Sequence, residues 1–295
     1  SASCKIGVKI VTPITGMTFT EDKELNQLGY GQEYQIKYTL EPVDATASLL
    51  TWTSDNPDMI SVDKTGKLKV HTTKTASAVI TASYGPVVQN VTVTVADGRF
   101  WYSLGNGLGN GQDNNWYLDG NGASVVSSDG KKTIVQMGSG YRGDLWLARS
   151  GKGKVVNVTP ADYRYFAIKV GFKSQLVPGK NKPNGCIKLE IFDDGIKKIG
   201  PEYFGTGGDA NNRYEILGAS EISTTEPNVL YYDLQSKYKT VTPTDWNQVF
   251  DLAQCKFVIA DFPETAQTYD LYWIRSFKSI EELQAFVDSE NNTNE

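Results

Sequence analysis

The chain has 295 residues, of which 39% are hydrophobic, and a net charge of −5; this length suits one large or two ordinary domains, and the acidity argues against a nucleic-acid surface. A single histidine, His71, excludes zinc sites with several histidine ligands and leaves Ser-His or Cys-His catalysis dependent on that one ring. No apolar run approaches the roughly 18 residues of a membrane-spanning helix.

The chain begins with SASCK, and residues 1–6 are interpreted as an N-terminal tether. Small residues before Cys4 are similar to the end of a bacterial lipoprotein signal, in which the cysteine becomes the lipidated first residue of the mature protein. The alternative is an incidental free thiol. Cys186 and Cys255 each precede an apolar strand, and either a disulfide between them or two buried thiols fits the sequence.

Residues 7–96 are rich in short strands with period-two alternation, such as YQIKYTL and NVTVTV. Turn clusters such as SDNPD and DKTGK separate these strands at short intervals, which is typical of an antiparallel sandwich. Four runs in this segment resemble the bacterial immunoglobulin-like domain of group 2: GMTFTEDKEL, YTLEPVDA, LLTWTSDNPDMISVDKTGKLKV and SAVITASY. The resemblance implies a spacer or adhesive module without catalytic chemistry, with Trp52 in its core.

A short joint is predicted at 97–99, because Asp-Gly interrupts the alternation of valines. Residues 100–288 form a second domain with longer strands, for which the candidates are KTIVQM, DLWLAR, YFAIKVGF, CIKLEIF, VLYYDL, KFVIADF and DLYWIRSF. SIEELQAFV predicts a short helix, because Ser279 and Glu282 are spaced as a capping box and Ile280, Leu283 and Phe286 share one face. The polar tail 289–295 is predicted to be disordered.

The predicted fold class is therefore all-β: an immunoglobulin-like sandwich followed by a larger jelly-roll-type β-sandwich with a short C-terminal helix. No cofactor is expected. Three aspartates lie among Gly-rich turns: Asp113, Asp119 and Asp129. They could hold a structural calcium ion through oxygen ligands, or they could simply be solvated turn residues.

Alternation along two strands predicts a tryptophan beside an arginine on a solvent face. In YRGDLWLARS the leucines point inward, which sends Arg142, Asp144 and Trp146 outward. In DLYWIRSF, Tyr272 and Ile274 are placed inside, and Trp273 and Arg275 then share the outer face. YFAIKVGF similarly leaves Tyr165 outside, with Phe166, Ile168 and Val170 in the core.

Such a face suits a sugar, because an indole offers a flat platform to the apolar side of a pyranose ring while Arg and Asp bond its hydroxyls. Aromatic residues in two Gly/Asn-rich loops are weaker candidates. The predicted carbohydrate-binding residues are Trp146, Trp273, Arg142, Asp144, Arg275, Tyr165, Trp116 and Tyr203. The alternative is that Trp146 and Trp273 pack beneath a loop or against the other domain.

The run YDLYWIRSFKSIEELQAF, with LYYDL and YRYFAIKVGF, is similar to the ending of extracellular carbohydrate-binding sandwiches from Bacteroidetes. Together with the first domain and Cys4, this resemblance implies a non-catalytic glycan-binding lipoprotein on the outward face of the outer membrane. Its partners would be a polysaccharide, with a β-glucan as the first guess, and a porin-type glycan transporter. The alternatives are a structural or adhesive protein and a hydrolase or lyase that uses Asp144, Glu190 or Asp193–Asp194.

Overall fold

The computed structural model describes residues 11–120, 122–138, 142–149, 156–174, 187–193, 214–235, 246–260 and 267–292. These residues form an all-β chain, as predicted, with two short 3₁₀ helices (Lys23–Asn26 and Ala47–Leu49) and one α-helix, α1 (Ile280–Asn292). The first nine strands are β1 (Gly16–Phe19), β2 (Leu28–Tyr30), β3 (Glu33–Gln35), β4 (Tyr38–Glu41), β5 (Thr51–Ser54), β6 (Ile60–Val62), β7 (Lys67–Val70), β8 (Ala76–Tyr84) and β9 (Val87–Ser103). The later strands are β10 (Tyr117–Leu118), β11 (Ser124–Ser128), β12 (Thr133–Gln136), β13 (Leu145–Ala148), β14 (Val156–Val158), β15 (Tyr165–Phe172), β16 (Ile187–Asp193), β17 (Glu215–Ile216), β18 (Asn228–Asp233), β19 (Phe250–Ile259) and β20 (Thr268–Phe277).

The first nine strands enclose a small N-terminal core. β5, β8 and β9 pair antiparallel, with β2 parallel to β9, while β3, β7 and β6 form a second sheet and β1 pairs with β4. Trp52 is buried in this core, as predicted, and its ring packs on those of Phe19 and Tyr38. Gly66 closes the DKTG turn at φ +83°, and a Cβ there would stand 2.6 Å from the Trp52 ring. A larger residue at position 66 would clash with the buried indole, so this tight turn beside Trp52 needs glycine.

Strand β9 runs without a break through residues 97–99, where the sequence predicts a short joint between domains. Gly98 accommodates the Asp-Gly step at φ +72° without ending the strand. The backbone groups there find side-chain partners: Ser276 Oγ donates to the Gly98 carbonyl and accepts from the Phe100 amide, both at 2.9 Å, and Thr159 Oγ1 donates to the Asp97 carbonyl at 2.9 Å. One strand therefore belongs to both halves of the molecule.

The larger half is a sandwich of two sheets. The first, here the β20 sheet, runs β17-β18-β15-β20-β9, with β12 paired to the other end of β20 and β11 beside it. In the second, the β19 sheet, strands β13, β14 and β16 pair with β19, and β10 pairs with β13. Phe166 of the first sheet meets Phe257 of the second, with ring centroids 5.6 Å apart. Phe100 of β9 contacts both Phe166 and Tyr30, so the cores of the two halves are continuous.

The seven strand candidates of the second domain are all found as strands. The predicted inward residues of β15 and β16 are buried, which confirms the period-two pattern there; they are Phe166, Ile168, Val170, Ile187, Leu189 and Ile191.

Helix α1 confirms the C-terminal helix and is longer than predicted. Ser279 Oγ accepts from the Glu282 amide at 3.2 Å, while the Glu282 carboxylate accepts from the Lys278 amide at 2.6 Å, a variant of the predicted capping box. The helix continues to Asn292, so a disordered tail beginning at residue 289 is wrong. No helix in the described part of the chain is both long and apolar enough to cross a membrane.

Candidate functional site

The outer face of β20 is covered, in contrast to the prediction. Trp273 is only 3% exposed and packs against Phe277 and Phe286, with ring centroids 6.2 and 5.6 Å away. Its indole Nε1 donates to the Glu290 carboxylate at 3.0 Å. Arg275, also predicted to face solvent, is 9% exposed. Trp273 is therefore a packing residue beneath α1 rather than half of a sugar platform.

A bulge in β20 explains a second difference. Lys169 of β15 pairs with Trp273 and Val170 pairs with Leu271, so Tyr272 is an extra residue in the ladder. The bulge places Tyr272 on the same side as Trp273, half-buried beside Lys169, where strict alternation had placed it in the core.

Trp146 lies on the outer face of the β19 sheet, where the alternation places it, but it is half-buried rather than open to solvent. Lys256 Nζ lies 4.5 Å and Arg149 Cζ 5.1 Å from its ring centroid. The Trp146 indole nitrogen is buried and has no hydrogen-bond partner within the described ranges. Because two cations already occupy the ring, this face is less open to a sugar than a free platform would be.

Charged neighbours of Trp146 satisfy one another. Arg142 binds Asp144 through two hydrogen bonds, of 3.1 and 2.6 Å, and Asp144 is 4% exposed rather than facing water. Lys256 Nζ lies 2.8 Å from Glu190 Oε2 and 3.9 Å from Asp144 Oδ2. This buried network holds strands β13, β16 and β19 together, which is the role of structural ions.

The remaining predicted residues separate into different environments. Trp116 was predicted as a loop ligand, but it is 0% exposed and packs on Phe166 and Phe257, so that prediction is wrong. Tyr165 is half-buried, with the Arg164 guanidinium 5.4 Å from its ring centroid. Tyr203 lies outside the described residues, as do Cys4 and Cys186. Cys255 is a buried free thiol in this structure, and burial raises its pKa.

The three aspartates considered for calcium have separate roles. Asp129 accepts from the amides of Lys131 and Lys132 in a turn, and Asp119 forms an ion pair with Arg149. Asp113 accepts from the Asn115 amide at 3.3 Å. Within the described ranges no group of three or more His, Cys, Asp or Glu is placed to hold a metal ion.

A pocket of about 640 Å³ lies where the two halves of the molecule meet. The first half contributes residues at the start of β3, the turn before β6, and the end of β7 with His71. The second half contributes the end of β9, the loop 106–115 and Arg275 of β20. This volume falls in the range of small-ligand sites, which is about 300–1,000 Å³. Sequence reasoning had found Arg275 but missed the pocket, because no single segment encodes a cleft between two modules.

The pocket wall combines rings with hydrogen-bonding groups. Trp101 is half-buried and Tyr102 buried, while Asn106 and Asn114 are exposed at the rim. His71 is also half-buried here, and its Nε2 lies 2.7 Å from the Ser61 hydroxyl. Burial and the nearby Lys69 lower the pKa of His71. The ring is therefore neutral at pH 7 and available as a hydrogen-bonding group.

Arg275 forms the buried wall of the pocket. Its guanidinium carbon lies 4.4 Å from the ring centroids of both Trp101 and Phe286. Nη2 donates to the Ser103 hydroxyl at 3.2 Å, and Nε has no partner within the described ranges. Burial lowers the pKa of Arg275 to about 10, which still leaves it charged at neutral pH. The pocket thus offers aromatic surface, amides and a cation to a polar ligand.

Comparison with solved structures gives only distant likenesses. The M60 catalytic domain with the CBM51-1 and CBM51-2 domains from Clostridium perfringens ZmpB is 12% identical (TM-score 0.25) and matches 89% of this chain but 23% of that chain, so this chain spans under a quarter of it. A second structure is described as the structural basis for the promiscuous specificity of the carbohydrate-binding modules from the beta-sandwich super family. It is 11% identical, with a TM-score of 0.29, and the match covers 89% of this chain and 97% of that chain. The CBM51-2 and INT domains from the same ZmpB are 9% identical, with TM-score 0.19 and 88% and 47% coverage. Likeness at these scores carries no argument about the ligand.

No curated protein matches the sequence. A family model does match, and it covers residues 104–283, which begin just after β9 and end within α1. This span is more than half of the chain and contains most of the larger sandwich. The chain therefore belongs to the family described as Domain of unknown function (DUF4979).

Proposed function

We propose that this protein binds a glycan without cleaving it, through the pocket between its two sandwiches. The observation that carries the proposal is the pocket itself, with a cavity of about 640 Å³ beside Trp101 and amide, hydroxyl and guanidinium groups around it. A sugar ring needs an apolar contact for its C–H face and directional partners for its hydroxyls. A cleft between two joined modules supplies both with little loss of conformational freedom.

The proposed activity, glycan binding, is the one expected from the sequence, but the proposed site is the pocket rather than the outer strand faces. The sequence placed the glycan on Trp146 and Trp273, but α1 covers Trp273 and cations occupy the Trp146 ring. Arg275 is the predicted residue that lines the pocket. A β-glucan suits two flat aromatic platforms, which the described residues of this pocket do not provide, so a β-glucan is one member of the glycan panel rather than the proposed ligand.

A non-catalytic role fits the placement of the carboxylates. The candidates Asp144 and Glu190 are buried and engaged with Arg142 and Lys256, and neither lines the pocket. Asp58, Asp113 and Glu33 do line it; all three are exposed to solvent, and Glu33 is paired with Lys67. A glycosidase instead needs a matched pair of carboxyls, one of them kept protonated by its surroundings.

His71 gives a direct measurement, since it is the only histidine in the chain and lines the pocket. Titration with a panel of oligosaccharides should shift its ring C–H resonances, and Asn106→Ala should weaken the response severalfold, as expected for a lost hydrogen bond. Asn26→Ala is the matched control, because Asn26 is equally exposed but lies outside the pocket. A glycan that binds without moving the His71 signals would refute the pocket, and release of reducing ends would refute the non-catalytic role.

The cellular setting is part of the same proposal. The immunoglobulin-like first domain would act as a spacer, Cys4 would carry a lipid, and the protein would face outward from the outer membrane beside a glycan transporter. The resemblances of SASCK and of residues 7–96 support this setting. Lipid labelling of the natural protein and of Cys4→Ser tests it: equal labelling of both would remove the anchor.

A further inference from the structure

Arg275 carries a buried charge that no carboxylate in the described ranges neutralises within ion-pair distance. Its side chain is nine-tenths buried, and among the residues that the structure describes its guanidinium has one hydrogen-bond partner, the neutral Ser103 hydroxyl, and its Nε has none. The charge of Glu290 raises the pKa of Arg275, but that carboxylate already accepts from Lys169 and Trp273, at 3.0 Å each.

Arg99 contacts the same indole ring as Arg275, that of Trp101, and differs from it in having a charged partner. It also lies against Trp101, at 4.7 Å from the ring centroid, but its guanidinium pairs with Glu24 at 2.8 Å. Arg99 does not line the pocket, whereas Arg275 does. The two arginines thus share one aromatic partner, and the one without a counter-charge faces the cavity.

An unpaired buried guanidinium is costly, because leaving water costs an ion several kcal/mol even after relaxation. Contacts with Trp101 and Phe286 offset part of this cost. An anion that enters from solution would supply the missing partner, and a planar carboxylate matches the fork of a guanidinium. The aromatic contacts hold that fork in place before any ligand arrives.

Other pocket charges support an anionic ligand at this wall. Lys69 is exposed, lines the pocket and forms no ion pair within the described ranges, while the Glu33 carboxylate is paired with Lys67. Asp58 and Asp113 are exposed at the rim, where water and salt screen them. The buried charge of the pocket is therefore the Arg275 guanidinium, while Lys69, Asp58 and Asp113 lie at the exposed edge.

We infer that the glycan of the proposed function is acidic, and that Arg275 receives the carboxylate of a uronic acid residue, assisted by Lys69. This inference rests on the proposed function and adds the ligand class to it. The same carboxylate chemistry could come from a free organic acid, so the probes must separate the two sources.

The probes are oligomers of galacturonic acid and of glucuronic acid, cellotriose as a neutral sugar, and lactate as a plain carboxylate, each titrated calorimetrically and by the His71 resonances. We expect a uronic acid oligomer to bind at least about tenfold more tightly than cellotriose, the effect of one charged hydrogen-bonding pair. Arg275→Gln should remove about tenfold to a hundredfold of that affinity.

Two surface variants keep the test valid if Arg275→Gln fails to fold. Lys69→Glu should weaken uronate binding severalfold, and Asp58→Asn should strengthen it, since both residues are exposed on the pocket rim. Lys64→Glu makes the same charge change on an exposed residue outside the pocket and should have no effect.

The outcomes separate the two proposals. Cellotriose or another neutral glycan binding as tightly as the uronates would overturn the acidic ligand and leave glycan binding in place. Lactate binding as tightly as the uronates would support the carboxylate site and overturn the glycan. Uronate affinity unchanged in Lys69→Glu and Asp58→Asn would overturn the assignment of the carboxylate to this pocket.

Discussion

Replacement of Trp273 by alanine should destabilise the protein strongly, because the indole is enclosed on all sides that the structure describes. The substitution would leave a cavity between Phe277, Phe286 and the Arg275 guanidinium, and the Glu290 carboxylate would lose the hydrogen bond from the indole. Truncation of a buried tryptophan costs about 3–5 kcal/mol. For domains of 150–250 residues this corresponds to a fall in Tm of about 6–20 °C.

Trp146→Ala is the matched comparison, because both indoles were predicted from the same alternation. Trp146 is half-buried and is contacted by side chains of Lys256 and Arg149 rather than by a helix. Its loss should cost less than about 2 kcal/mol, since less apolar surface leaves water and the cation contacts are individually small.

Urea denaturation followed by tryptophan fluorescence and by far-ultraviolet circular dichroism would give both free energies of unfolding. Trp273→Phe should recover more than half of the loss, because it restores packing without the bond to Glu290. If Trp273→Ala unfolds at the same urea concentration as Trp146→Ala, then α1 does not cover β20 in solution and the account of this face is wrong.

Three further predictions follow from local geometry. Gly98→Ala should lower the free energy of unfolding by at least about 2 kcal/mol, because its Cβ would stand 2.6 Å from the Thr159 amide nitrogen at φ +72°; an unchanged Tm would contradict this. Lys256→Ala should cost about 3 kcal/mol in urea denaturation by leaving Glu190 buried without its partner, whereas Lys67→Ala, which breaks an exposed pair, should cost less than about 1 kcal/mol; equal costs would count against the buried network. The His71 ring resonances should titrate with a midpoint below 6.5, the usual pKa of histidine, because burial and Lys69 lower the pKa of this ring. The stabilisation from the neutral ring is then present above pH 6.5 and is lost as the pH falls through the lowered pKa. A titration midpoint above 6.5 would refute this environment for His71.

The fold class and most strands were predictable, because period-two alternation is a local property of each segment. Strand β15 illustrates this: Phe166, Ile168 and Val170 point inward as the sequence indicates. The pattern failed at Tyr272, where a bulge in β20 adds one residue to the ladder and shifts the facing of its neighbours. A bulge depends on pairing with β15, so the sequence of β20 alone does not reveal it.

The candidate site was predicted less well, because exposure depends on what covers a strand. Alternation placed Trp273 correctly on the face opposite the core, but the apolar side of α1 packs on that face. The helix itself was predicted, and Phe286 on its apolar side could have indicated a partner for the indole. The pocket needs the register of β9 with β20, which brings Trp101 opposite Arg275, and no periodicity in a single segment specifies that pairing.

The shared strand β9 has a consequence for how this protein can be divided. A cut before residue 104, where the family match begins, would remove the strand that flanks β20 and would bare the rings of Phe166 and Trp116 that rest against Phe100 and Tyr102. It would also discard Trp101 and every wall of the cleft supplied by the N-terminal half. The span matched by the family model and the shortest piece that keeps β9 and the whole pocket are thus different lengths of polypeptide, and a truncation planned on the former would remove part of the proposed site before it is tested.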